Sequence, residues 1–124
     1  MSASNDARRT AEDRCDAAVD AYADGNYDQA IALYTSALEA DPAYGDAFTG
    51  LAMCHKARGD IDAAIEVTKR YVEKAPDDIL AFTNLSMFYQ KKGMIAEAEA
   101  AGAQARLLDW KRQLREAKAK TPNQ

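Results

Sequence analysis

The fold of this chain is decided by a repeated stretch whose best-defined copy is residues 46 to 77, which read DAFTGLAMCHKARGDIDAAIEVTKRYVEKAPD. Apolar residues recur at three- and four-residue spacing on both sides of Gly59, and no alternating strand pattern competes. Gly59 can take the left-handed conformation that ends a helix, Asp60 can cap the next helix, and Pro76 stops it. The stretch therefore predicts a first helix over about residues 44–58 and a second helix that ends before Pro76.

The same pattern returns when the sequence is shifted by 34 residues. Glycines coincide where a hairpin between helices is expected, and alanines coincide where two helix backbones would cross closely. The coinciding sets are Gly25, Gly59 and Gly93; Ala30, Ala64 and Ala98; Tyr27, Ile61 and Ile95; Pro42 and Pro76; Phe48 and Phe82; Leu51 and Leu85. Three tandem pairs of helices are predicted.

This pattern resembles the tetratricopeptide repeat. The family signature of Trp, Leu-Gly, Tyr, Ala, aromatic and Pro falls here on Phe48, Leu51-Ala52, His55, Ala64, Thr68 and Pro76. The resemblance implies an all-α fold, a right-handed α-solenoid of three helix-turn-helix repeats with an extended or capping C-terminal helix. We expect a single domain over residues 1–124, with repeats at about 11–44, 45–78 and 79–110 and a C-terminal helix that continues to about residue 119.

The outer repeats depart from the family pattern in ways that predict how the solenoid ends. Arg14 replaces the usual Trp in the first helix, where no earlier repeat would pack, and we expect it to be exposed. Trp110 replaces the last proline, so the final helix is predicted to run from about Ile95 to residue 119. Within it Leu107, Trp110 and Leu114 form an apolar stripe, while basic residues lie largely on the other faces. The stripe is interpreted either as a cap over the end of the solenoid or as an exposed interface for docking or self-association.

Composition limits the class of protein. With 124 residues, 48% hydrophobic and 29% charged, the chain suits one globular domain. Apolar runs are far shorter than the roughly 20 residues a bilayer span needs, and residues 1–14 contain several charges instead of an apolar signal core. We therefore expect a cytoplasmic protein without membrane insertion, in which Cys15 and Cys54 are reduced thiols.

Charge is distributed unevenly along the chain. Residues 1–46 hold ten acids against three arginines, whereas residues 106–120 hold six cations against two acids. This polarity favours a head-to-tail association, or else reflects a solvated basic helix end.

The residues give no support to catalysis. The chain has one histidine, His55, which we interpret as a satisfied packing residue because the repeat family usually buries a tyrosine there. The glycines do not cluster into a phosphate-binding loop, and no set of residues has metal-ligand spacing. We predict no enzyme activity, no cofactor and no metal, and a sequence pI near 5.0 argues against a nucleic-acid partner.

The resemblance also implies a binding surface, because the first helix of each repeat lines a concave groove in this family. Val19, Met53 and Met87 fall at equivalent positions and are predicted to form an apolar strip with adaptable methionines. The other predicted partner-binding residues are Cys15, Tyr22, Thr49, Lys56, Leu80, Thr83, Asn84, Gln90 and Lys91, and Glu12, Asp16, Asp46 and Gly50 lie on the same helix faces. Alternatively, these side chains only pack against neighbouring helices.

The expected function is a non-catalytic adaptor or scaffold that binds a peptide or helix of a partner protein in this groove. The alternative is a structural subunit of a larger complex, or a homo-oligomer, assembled through the C-terminal helix. Family members that hold the acidic tails of heat-shock chaperones use cationic and amide side chains, and the corresponding positions here are Cys15, Val19, Gly50, Leu80 and Asn84. Four of these five cannot hold a carboxylate, so no chaperone-tail clamp is predicted.

Overall fold

The structure is a computed structural model that describes residues 2–120, with side chains from residue 5 onward. Residues 2–120 form helices and no strand. The helices are α1 (Ser2–Ala23), α2 (Tyr27–Ala40), α3 (Gly45–Ala57), α4 (Ile61–Lys74), α5 (Ile79–Lys92) and α6 (Ile95–Ala119). The limits of the predicted domain at residues 1 and 124 lie outside the described part of the chain.

The six helices form three hairpins stacked in order. Each helix packs against the next in sequence, and α1 also contacts α3 across the first repeat boundary. The first helices of the first two repeats are thus neighbours on one side of the stack, as the all-α solenoid prediction requires.

The predicted helix ends of the second repeat are confirmed. Gly59 has a φ of +82°, and Asp60 accepts a hydrogen bond from the Ala63 backbone N–H at 3.1 Å. The helix α4 ends at Lys74, two residues before Pro76. Because these signals are local, the sequence alone was sufficient to place the ends.

Small and aromatic side chains together build the core. Ala30, Ala64 and Ala98 are all buried, as expected where two helix backbones cross. Phe48 and Phe88 are the largest fully buried side chains, and the Phe48 ring stacks on Tyr71 with ring centroids 5.2 Å apart. The core therefore runs continuously from α1 to α6.

The N-terminal helix differs from the prediction at two points. It begins at Ser2, ahead of the repeat that was placed from about residue 11, and its added turns are held where Arg8 pairs with Asp41 at 2.6 Å and lies over the Tyr44 ring. The expectation that Arg14 is exposed is wrong. It is half-buried, because α2 lies beside it and the Ser36 carbonyl accepts a hydrogen bond from its guanidinium at 3.0 Å.

Candidate binding groove

The candidate groove lies on the side formed by α1, α3 and α5. Of its predicted apolar residues, Val19 and Leu80 are more than half exposed, at 55% and 57%. Tyr22 is also exposed, and its ring packs against Tyr27 at 5.2 Å. Met53 and Met87 are half-buried and pack against the core. The predicted strip is thus partly exposed to solvent and partly packed against the core.

Tyr34 forms part of the groove floor, which the sequence did not predict. A Cβ atom placed on Gly50 would lie 2.2 Å from Cζ of the Tyr34 ring. The phenol ring of Tyr34, a residue of α2, therefore fills the space that a side chain at position 50 on α3 would occupy. The position of a glycine within a helix, where no turn needs it, was the only signal in the sequence.

The Tyr34 hydroxyl is nearly buried and has no hydrogen-bond partner among the described residues. Tyr34 is only 6% exposed, and burial raises its pKa to about 12, with smaller contributions from nearby Cys54, Cys15, Tyr22 and Asp46. Within residues 2–120 the hydroxyl makes no hydrogen bond, yet it is not among the fully buried unpaired atoms. A polar group in this state can bind a backbone or side-chain group of a partner.

Cys15 was predicted to line the open groove, but its side chain is buried where α1 packs against its neighbours. Burial raises the pKa of its thiol to about 11, and the Cys54 thiol is raised to about 11 for the same reason. Both cysteines are free, and both are protonated at neutral pH.

The polar residues of the groove differ in what they can offer. Thr49, Lys56 and Asn84 are half-buried, whereas Thr83, Gln90 and Lys91 are exposed. The Thr83 hydroxyl donates to the Ile79 carbonyl at 3.0 Å, so it can only accept from a partner.

A cleft opens at the third-repeat end of the groove. Thr83, Met87 and Gln90 line it together with Ser86, Gly102, Ala105 and Arg106, and its volume is about 320 Å³. Three predicted groove residues therefore lie around one concavity.

Acidic and basic residues of the groove lie toward opposite ends of the helices that form it. Glu12, Asp16 and Asp46 on α1 and α3 are all exposed, and among residues 5–120 none lies within 4.0 Å of a lysine or arginine nitrogen. Lys56 and Lys91 lie toward the C-terminal ends of α3 and α5. The end formed by the first turns of α3 and the middle of α1 is therefore acidic.

His55 packs as predicted but is not fully satisfied. It is half-buried, and in the part of the chain that the structure describes its Nδ1 is a buried atom without a hydrogen-bond partner. Burial, reinforced by Arg58 and opposed by Asp60, lowers the pKa of the imidazole below its usual value. The ring is therefore neutral at pH 7.

The apolar stripe of α6 is exposed. The helix spans Ile95–Ala119 as predicted, but Leu107, Trp110 and Leu114 are 40%, 59% and 52% exposed. The residue that turns toward the core is instead Leu108. The interpretation of the stripe as a cap over the solenoid is therefore wrong for these three side chains, because α6 covers α5 with its Ala98, Ala101, Ala105 and Leu108 face.

Metal-ligating clusters and membrane-spanning helices are both absent from the described part of the chain. Among residues 2–120 no group of three or more His, Cys, Asp or Glu side chains could hold a metal ion. No helix in the same range is long and apolar enough to cross a bilayer.

Solved structures with the same fold are numerous. The second TPR of Spaghetti (RPAP3), bound to the HSP90 peptide SRMEEVD, matches with a TM-score of 0.78 and 20% identity over 87% of this chain and 99% of that one. MamA matches with a TM-score of 0.80 and 23% identity over 84% of this chain and 61% of that one. The Yersinia enterocolitica type III secretion translocator chaperone SycD matches with a TM-score of 0.76 and 25% identity over 81% of this chain and 75% of that one.

Curated proteins give no significant match to this sequence. The family model described as "Tetratricopeptide repeat" matches residues 21–86, more than half of the chain. Together with the stacked helical hairpins, this match shows that the chain belongs to the tetratricopeptide repeat family.

Proposed function

We propose that this chain is a non-catalytic adaptor that binds an extended or helical segment of a partner protein in the groove of α1, α3 and α5. The observation that carries the proposal is the partly open apolar strip of Val19, Met53, Met87 and Leu80 on one side of the stack. Apolar side chains in a concavity with adaptable methionines suit burial of a partner's side chains. Asn84 and Gln90 beside the strip supply amides for the partner's backbone.

The groove is not expected to hold the acidic tail of a chaperone, although one solved relative is bound to such a peptide. Cys15 is buried, and the space beside Gly50 is filled by the Tyr34 ring. The exposed carboxylates of Glu12, Asp16 and Asp46 would repel an acidic peptide. At 20% identity, the likeness to that relative is a likeness of fold alone.

The proposal is tested by a pull-down from native extract, with captured proteins identified by mass spectrometry. The Met53→Asp/Met87→Asp variant is expected to lose the partner that the wild type retains, because two charges in the strip would have to be desolvated. Both methionines also pack against the core. A second variant, Val19→Asp/Leu80→Asp, therefore changes only residues that are more than half exposed.

The matched control is Ile95→Asp, because Ile95 is 59% exposed and lies at the start of α6, away from the strip. It should retain the partner. Retention of the same partner by both groove variants, with helical circular dichroism unchanged, would refute binding in the groove.

A second candidate is a structural subunit of a larger complex, or a homo-oligomer, assembled through the C-terminal helix. The observation that favours it is the exposed stripe of Leu107, Trp110 and Leu114. Three large apolar side chains on one exposed helix face are typical of an interaction surface.

A further inference from the structure

We propose that the α6 tail of one copy, residues 109–119 with the Leu107 turn before it, occupies the groove of a second copy of this chain. The inference rests on the groove being the binding surface proposed above, and it names one occupant. It goes further because it joins two surfaces that the fold leaves uncovered, the groove and the stripe.

The tail extends beyond its own solenoid. Leu108 is the last buried residue of α6, and residues 110–120 are all exposed. At about 1.5 Å per residue, residues 109–119 form a rod roughly 16 Å long. Because α6 continues to Ala119 without a break, this rod cannot turn back into the groove of its own chain. If the tail enters a groove of this kind, that groove belongs to another copy.

Two of the basic side chains that were expected largely on other faces of α6 lie next to the apolar stripe. Lys111 and Lys118 follow Leu107 and Leu114 by four residues, so each lies next to a stripe leucine on the helix surface. Neither lysine forms an ion pair within the described residues, whereas Arg112 is already paired with Asp109 at 2.6 Å and lies 3.9 Å from Glu116. The two acids of the tail are thus on the Arg112 face, and the stripe is flanked by free positive charge.

The groove is complementary to such a tail. It offers an apolar strip, and its acidic end carries Asp16 and Asp46, which form no ion pair within the described residues, and Glu12, which interacts electrostatically with Arg8. An amphipathic helix with an apolar face and flanking lysines therefore matches the apolar strip in hydrophobicity and the acidic end of the groove in charge.

Such a contact joins two different surfaces, so each copy can bind one neighbour through its tail and another through its groove. A heterologous contact of this kind closes into a ring or grows as an open chain. Association should accordingly increase with protein concentration and weaken in 1 M salt, where the Debye length falls to about 3 Å.

The test uses the full chain in sedimentation velocity across a range of concentrations. The groove variant is Asp16→Lys/Asp46→Lys, and the tail variant is Lys111→Glu/Lys118→Glu. Each variant alone is expected to remain at the monomer mass of 13.5 kDa, because its groove and tail have charges of the same sign. An equimolar mixture should associate, since the reversed groove attracts the reversed tail and the two unreversed surfaces still match.

Trp110 provides a second readout, because it is the only tryptophan of the chain and lies in the stripe. Its emission should shift to shorter wavelength as the wild type associates. The control is Lys69→Glu/Lys74→Glu on α4, which makes the same charge change on a different surface and should associate as the wild type does.

Three results would overturn the inference. They are a wild type that stays monomeric at millimolar concentration, a groove variant that associates like the wild type, and a mixture that remains monomeric while both variants are folded by circular dichroism. A monomeric wild type that still captures a different protein through Val19 and Leu80 would refute the inference and leave the proposed adaptor function intact.

Discussion

Replacing Phe48 by alanine is expected to lower the free energy of unfolding by about 3 to 5 kcal/mol, the usual cost of removing a fully buried phenylalanine. Phe48 is 2% exposed, stacks on Tyr71, and has the Arg70 guanidinium 5.9 Å from its ring centre. The change leaves a cavity between α3 and α4 that surrounding helices cannot close completely. Urea unfolding followed by circular dichroism measures the loss.

Phe82 provides the matched control, since it occupies the equivalent position of the third repeat. Its side chain is only half-buried and lines a cleft of about 390 Å³ that is already open. Phe82→Ala should therefore cost clearly less than Phe48→Ala. Equal losses would show that the second repeat is not the packed centre of the solenoid.

The second large effect concerns Gly50, where alanine should destabilise the protein by about 1 to 3 kcal/mol. Glycine to alanine within a helix is otherwise favourable by roughly 1 kcal/mol. Here the new methyl group would meet the Tyr34 ring at 2.2 Å, and the ring is held by its surroundings.

The opposite sign is expected at Gly102 in α6, where a Cβ would meet nothing closer than Ser86 Oγ at 3.4 Å. Gly102→Ala should stabilise the chain.

In a Tyr34→Ala background, Gly50→Ala should lose its penalty, and a double-mutant cycle measures that coupling. Additive effects of the two changes would contradict the placement of the Tyr34 ring beneath α3.

The sequence was informative wherever a signal is local. Gly59, Asp60 and Pro76 define the ends of helices by their own conformational limits, and the repeat period carried these ends from one unit to the next. The extension of α1 to Ser2 was not predictable from local signals. Its first turns contact the segment between α2 and α3, where Arg8 meets Asp41 and Tyr44.

The exposure of the predicted groove residues could be predicted only in part, for the same reason. Repeat phase placed Val19 and Leu80 on an exposed helix face correctly. It could not show that Cys15 is buried, nor that Tyr34 replaces the absent side chain of Gly50, because both depend on how neighbouring helices approach each other. The stripe on α6 was visible as a pattern, but only its exposure in the fold separates an interaction surface from a cap.

The central claim is that a partner binds in the groove of α1, α3 and α5. Site-specific photo-crosslinking in cells tests this claim most directly. A photoreactive amino acid is placed at Val19, which is exposed on α1, or at Glu66, which is exposed on α4. We expect crosslinks to a bound protein from Val19 and none from Glu66. A product joined to residues 109–119 of a second copy would identify the tail as the occupant. Crosslinks from Glu66 with none from Val19 would contradict a partner-binding groove.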